Sequence, residues 1–199
     1  MTGRQSPGTQ AVAGTGAGTM IVVVGPSGAG KDSVMTVAAQ HFADEPRLRF
    51  CRRVITRPAD AGGEAHEAVD AGTFSRMQSA GGFAVSWEAH GLSYGIPASV
   101  LDLLGQGVTV IANGSRSALP HFAAAFARLK VVTITARPEV LAERLTARGR
   151  ESADVIAARL NRTIPAPADE LDTSVIDNSG SLDVAGAAFV RLARGVLSG

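Results

Sequence analysis

The run Gly25-Pro26-Ser27-Gly28-Ala29-Gly30-Lys31-Asp32-Ser33 concentrates the residues best suited to hold phosphate. It follows the apolar stretch Met20-Ile21-Val22-Val23-Val24. Behind it, Val34, Val37, Ala38 and Phe42 recur at helical spacing. A buried strand that enters GxxxxGK and leaves through a helix reads as a phosphate-binding loop. Its glycines let consecutive backbone N–H groups turn inward around an anion with no Cβ in the way. The helix adds the positive end of its dipole. Every residue from Gly25 to Ser33 is therefore a candidate for nucleotide binding, and Lys31 is the candidate cation for the β- and γ-phosphates. The residue after this lysine is ordinarily Ser or Thr, whose hydroxyl meets Mg²⁺; here it is Asp32. Two readings stand. The Asp32 carboxylate binds the metal, directly or through water. Alternatively Asp32 sits in the first helical turn, favoured by the dipole, and Ser33 serves the metal. ATP and Mg²⁺ are the expected cofactors, with Asp32 and Ser33 both candidate metal residues.

Phosphoryl transfer needs positioning and charge neutralisation more than covalent chemistry. A second cationic cluster, Arg144, Arg148, Arg150, Arg159 and Arg162, spans a helix–break–helix segment. Such a segment could close as a lid over the transferring phosphate and exclude water. Arg148 and Arg159 are the members read as functional. Arg144 and Arg162 fit equally a solvated face paired with Glu143, Glu151 and Asp154. The third cluster runs from Arg52 and Arg53 through Thr56-Arg57 into a Gly-rich stretch ending at Glu64. Arginine forks bind phosphate bidentately, so this cluster suits a second, phosphorylated substrate. Arginines on a sheet edge also block aggregation; the phosphate loop in the same chain favours the acceptor site.

The elements that position these groups alternate in type. Strand 20–24, the loop and a helix over 31–42 open the series. Leu48 to Ile55 reads as a strand and 56–72 as a functional loop. A short helix near 73–79 precedes a strand over Phe83–Trp87. Pro97 suits the first turn of a helix running to about Leu104. Val108–Ala112 is a strand, 116–129 a helix and Val131–Thr135 a strand. Pro138 opens a helix that breaks at Arg148-Gly149-Arg150 and resumes near 153–162. Ser174–Ile176 is a last short strand, and a helix over 181–197 closes the chain. This βαβα order predicts an α/β fold, a mostly parallel sheet with helices on both faces. Ligands in such folds sit beyond the carboxyl ends of the strands.

The chain of 199 residues fits one domain, over 20–199, with a Gly-, Thr- and Ala-rich tail over 1–19. It is 45% hydrophobic and 19% charged, as soluble globular domains are. A net charge of +1 gives no argument for nucleic acid or a membrane surface as partner. No run approaches the ~20 apolar residues of a membrane helix, and residues 1–19, with no apolar h-region after a basic start, do not read as a signal peptide. Cys51 is the single cysteine, which excludes a disulfide framework and suits the cytoplasm. His41, His66, His90 and His121 show no metal-ligand spacing and read as surface or hydrogen-bonded side chains.

The phosphate loop, Thr56-Arg57 with Gly63-Glu64, Tyr94-Gly95, and Arg148-Gly149 with Arg159-Leu160 together resemble the guanylate kinase group of nucleoside monophosphate kinases. The closer resemblance is to the ribose 1,5-bisphosphate phosphokinase branch, the PhnN type of phosphonate degradation. It rests on GPSGAGKDS at 25–33, ITRPADAGGE at 55–64, SWEAHGLSYGIP at 86–97 and NGSR at 113–116, and extends from residue 20 to about 180. The resemblance implies a P-loop NTPase fold of the nucleoside monophosphate kinase type, with a five-stranded parallel core and a lid. It implies transfer from ATP to the 1-phosphate of ribose 1,5-bisphosphate, yielding ADP and 5-phosphoribosyl 1-diphosphate. Lys31, Arg148 and Arg159 become the catalytic cations, and Arg53, Arg57, Glu64 and Tyr94 the acceptor-site residues. Arg57 would hold an acceptor phosphate, and Glu64 would orient the sugar or metal-bound waters. A homodimer is the candidate assembly. Guanylate kinases read guanine with two carboxylates. Alignment anchored on Tyr94-Gly95 places Val85 at the first position and Asn113 near the second, unless a register shift brings in Glu88. Losing those carboxylates would leave guanine N–H donors unpaired, which disfavours GMP. A guanylate kinase, or a non-catalytic module of that shape, are the alternatives; an intact Lys31 argues against the module.

Overall fold

A computed structural model describes residues 18–59, 64–147 and 171–199. Its central strand, β1 (Met20–Val24), is wholly buried. Side chains alternate across a strand, so Ile21 and Val23 enter one core with Val34 and Ala38, while Met20, Val22 and Val24 enter the other with Phe122 and Trp87. A strand with apolar residues on both faces belongs in the middle of a parallel sheet covered by helices.

In chain order the remaining elements are α1 (Lys31–His41), β2 (Leu48–Phe50), β3 (Val54–Ile55), β4 (Glu67–Ala68), α2 (Ala71–Ser79), β5 (Phe83–Ala89), β6 (Leu92–Pro97), α3 (Val100–Gly105), β7 (Thr109–Asn113), a 3₁₀ turn (Arg116–Ala118), α4 (Leu119–Ala125), β8 (Leu129–Thr135), α5 (Pro138–Ala147), β9 (Thr173–Asp177) and α6 (Leu182–Ser198). The five-stranded sheet has the order β2-β7-β1-β8-β9, and every pairing in it is parallel. The expected parallel core with its flanking helices is thus present. The segment read as a lid is described only up to Ala147 in α5; its break and second helix lie outside the described residues, as do residues 1–17 of the tail. Gly18 and Thr19 are tied to the sheet: Gly18 N donates to Leu104 O at 2.7 Å and Val110 N to Thr19 O at 3.0 Å.

The structure differs from the sequence expectations over residues 48–100 and in the helix expected at 116–129. Residues 48–55 do not form a single strand. β2 joins the parallel sheet, whereas β3 joins a second sheet of order β4-β3-β6-β5. The stretch read as a loop contributes β4, parallel to β3, and α2 starts at Ala71 because Asp70 caps it, accepting from Thr73 N at 2.8 Å. β5 continues to Ala89 and returns as β6 through His90 (φ 53°) and Gly91 (φ 73°). Two residues at positive φ are what a type I′ hairpin turn requires. Pro97 ends β6 instead of opening a helix, and α3 begins at Val100. Pro97 is tolerated there because the β5–β6 register shifts between Phe83 and Val85, directly across from it. The helix expected over 116–129 is shorter: Phe126 turns extended and buries its ring. Among the described residues, no helix is long and apolar enough to cross a membrane.

Candidate active site: a phosphate cradle beside a buried arginine–carboxylate network

The phosphate loop leaves the carboxyl end of β1. Gly30 is the N-cap of α1 in the left-handed region (φ 83°), and no side chain caps the helix. The first N–H groups of α1 therefore have no intrahelical acceptor. A Cβ on Gly30 would lie 2.4 Å from Asn178 Nδ2. That amide is buried at the end of β9 and donates to Ala29 O at 2.8 Å, so a second strand braces the loop. From α5, Arg144 contacts Gly28 O at 3.5 Å.

Lys31 Nζ donates to Gly25 O at 3.0 Å and Pro26 O at 3.2 Å, curling over its own loop. Burial lowers its pKa to about 8; Asp32 and Glu64 oppose that shift, while Arg53 and Arg116 reinforce it. Asp32 is half-buried and Ser33 exposed. Asp32 Oδ1 accepts from Asn113 Nδ2 at 2.8 Å, and the same nitrogen donates to Glu64 Oε2 at 2.9 Å. One amide thus joins the phosphate loop to the acceptor segment.

Glu64 Oε1 in turn accepts from Arg53 Nε at 2.8 Å and from a second guanidinium nitrogen of Arg53. Arg53 is buried, with its guanidinium carbon 5.0 Å from the Tyr94 ring centroid and 5.6 Å from that of Trp87. Trp87 and Tyr94 stack across the β5–β6 hairpin, 5.3 Å apart and nearly parallel. A guanidinium clamped by aromatic faces and a carboxylate is fixed in orientation. Beside it, Arg57 contacts His66 Nδ1 at 3.2 Å, His66 Nε2 donates to the Arg57 carbonyl at 3.0 Å, and Arg52 donates to His66 O at 2.9 Å. Arg57 Nε and Asn113 Oδ1 are buried with no hydrogen-bond partner among the described residues.

Lys31, Asp32, Arg53, Glu64 and Tyr94 are therefore brought into one connected network, with Arg57 bordering it. Arg148 and Arg159 lie outside the described residues. Asn113 was legible only as the absence of a carboxylate, yet it is the bridge. His66, read as a surface or hydrogen-bonded histidine, is buried and hydrogen-bonded. Val85 belongs to the hydrophobic core. Glu88 is exposed and lies on the opposite face of β5 from Val85 and Trp87, so a register shift does not place it in the Val85 position.

No family model matches the chain. It is 57% identical over 173 residues to a curated relative from Agrobacterium fabrum, "Ribose 1,5-bisphosphate phosphokinase PhnN", covering 87% of this chain and 94% of that one. The relative of the same name from Rhizobium etli is 51% identical over 198 residues, covering 100% and 98%. The chain belongs to the ribose 1,5-bisphosphate phosphokinase family. Within the phosphokinase family the same unit also occurs in a longer protein. The "Bifunctional ribose 1,5-bisphosphokinase-thymidine phosphorylase" of Azorhizobium caulinodans is 52% identical over 150 residues, which are 75% of this chain and 22% of that protein. Among solved structures, a guanylate kinase from Anaplasma phagocytophilum superposes with a TM-score of 0.63 at 19% identity, covering 91% of this chain and 87% of that one. That likeness places the phosphokinase chain on the guanylate kinase fold.

Proposed function

We propose that this chain transfers the γ-phosphoryl group of ATP to the 1-phosphate of ribose 1,5-bisphosphate, releasing ADP and 5-phosphoribosyl 1-diphosphate, in phosphonate catabolism. The observation that carries this reading is the 57% identity, over 87% of the chain, to a relative of that name. An oxygen of the acceptor phosphate forms the new bond to the γ-phosphorus, and the bond from that phosphorus to the oxygen of ADP breaks. The attacking oxygen is anionic near neutral pH, so no general base has to remove a proton. The work left to the protein is orientation and charge.

Lys31 and the loop N–H groups hold the β- and γ-phosphates in this reading. The carbonyl contacts of Lys31 give way to phosphate oxygens, which also offset the burial that lowers its pKa. The donor set suits Mg²⁺: Asp32 and Ser33 offer oxygen ligands at the first turn of α1, and Asn113 holds one Asp32 oxygen in place. When bound, the ion would neutralise charge on the bridging phosphate oxygens. Arg57, whose buried Nε has no partner among the described residues, takes an acceptor phosphate. Glu64 and Tyr94 fix Arg53 at the sugar. Arg148 and Arg159 belong to the proposal through the family resemblance.

The guanylate kinase fold raises GMP as the rival acceptor. The Val85 side chain in the core and the Asn113 amide bound to two carboxylates speak against it. The test is the specificity constant for ribose 1,5-bisphosphate against GMP and other monophosphates, read as ADP release from Mg-ATP. The pentose bisphosphate should be the better acceptor by orders of magnitude. A higher constant for GMP would overturn the assignment.

A further inference from the structure

Arg52, Arg53, Arg57 and Arg144 each contact a protein acceptor around the loop and the acceptor segment. Arg116 is different. It opens the 3₁₀ turn beyond β7 and is partly buried, yet its side chain makes no hydrogen bond or ion pair among the described residues. Burial holds its guanidinium below the usual arginine range, and its charge bears on Lys31. A partly desolvated cation with no counter-ion among the described residues loses hydration without a compensating charge. An anion that arrives with a substrate would supply that charge.

The topology indicates which substrate. β7 pairs with β1 so that Asn113 lies beside Val23, and Gly114 N donates to Val23 O at 2.8 Å. The chain thus leaves β7 next to the start of the phosphate loop. The opposite flank of the loop is occupied by Asn178 from the end of β9 and Arg144 from α5. On the β7 flank, Asn113 bonds to Glu64, which belongs to the acceptor segment. An anion held by Arg116 and within the field of Lys31 would therefore lie between the phosphate loop and the acceptor segment.

We propose that Arg116 forms a phosphate subsite for the 1-phosphate of the acceptor, the group that receives the phosphoryl, and leaves the 5-phosphate to Arg57. The subsite rests on the acceptor being ribose 1,5-bisphosphate. It orients the attacking oxygen and, as a phosphomonoester subsite, selects against acceptors that lack a phosphate at that place.

The test uses the full chain with Arg116→Met and Arg116→Lys. KM is measured for ribose 1,5-bisphosphate and for ATP, with Ki for ribose 1-phosphate and ribose 5-phosphate and the melting temperature without ligand. Arg116→Met should raise the acceptor KM by roughly tenfold or more and leave the ATP KM unchanged. The Ki of ribose 1-phosphate should rise while that of ribose 5-phosphate stays put. The melting temperature should hold or increase, because the cation removed has no partner among the described residues, and Arg116→Lys should recover part of the acceptor affinity. An unchanged acceptor KM, a rise confined to the ATP KM, or a lower melting temperature with both KM values raised would each overturn the subsite. Wild-type protein inactive on ribose 1,5-bisphosphate would instead overturn the proposed function, and the subsite with it.

Discussion

Lys31 is the proposed cation of the donor side, and its environment gives it a distinctive pH response. Burial lowers its pKa from 10.5 to about 8 while its ammonium, among the described residues, touches only loop carbonyls. In the free enzyme the charge is lost as pH rises through that value, so kcat/KM for ATP should fall above about pH 8. The kcat profile should hold to higher pH, because bound phosphates favour the protonated form. Stability moves the other way. Between about 8 and 10.5 the unfolded chain binds more protons at this lysine than the folded one, so unfolding free energy rises with pH there, and Lys31→Met should remove the rise. A kcat/KM profile flat to pH 10 would contradict the assignment. Asp32 and Ser33 are separated by a Mg²⁺ titration of turnover. Asp32→Asn should raise the Mg²⁺ needed for half-maximal rate, Asp32→Ser should restore much of it through its hydroxyl, and Ser33→Ala should have a smaller effect. If both Asp32 variants kept the wild-type requirement and Ser33→Ala alone raised it, Asp32 would not be a metal partner.

At the level of elements, the cradle is where strand ends meet the start of α1. Gly30→Ala tests how tightly they meet. Its left-handed backbone disfavours any Cβ by about 1–2 kcal/mol, and the new atom would also press on the Asn178 amide that braces Ala29. Denaturant midpoints should show at least that loss, together with a raised ATP KM; an unchanged midpoint would mean the brace is slack. The β1–loop–α1 unit was legible because β-branched residues, glycines and a helical apolar pattern follow one another without a break. The second sheet was not. β3 and β4 are two residues each, too short to carry a period. β6 holds Gly95 and Pro97, poor strand formers, and its place between β3 and β5 is set by partners distant in the chain. Gly95 is there for packing: a Cβ would lie 2.5 Å from the Phe83 ring, which stacks on Phe74.

At the scale of the whole molecule, the site is a junction of separate segments: the phosphate loop, the Arg53–Glu64 stretch, the β5–β6 hairpin and the end of β7. Residues within contiguous motifs, such as Lys31 or Arg57, could be picked out by type and spacing. Their partners could not. Asn113 reaches Asp32 across 81 positions and Glu64 across 49, and side-chain pairing at such separations leaves no local pattern. The same holds for Arg116, visible in sequence as part of NGSR and without a role until β7 set it beside the loop. A site assembled this way is suited to bring two anionic substrates together while each cation keeps a fixed direction. The measurement that bears most directly on this account is ³¹P NMR of the wild-type protein with Mg-ATP and ribose 1,5-bisphosphate, beside a GMP control. The account predicts loss of the 1-phosphate signal and appearance of a coupled diphosphate at that carbon, with the 5-phosphate unchanged and ADP formed in equal amount. ADP without a new anhydride, or conversion of GMP to GDP while the pentose bisphosphate is left intact, would contradict it.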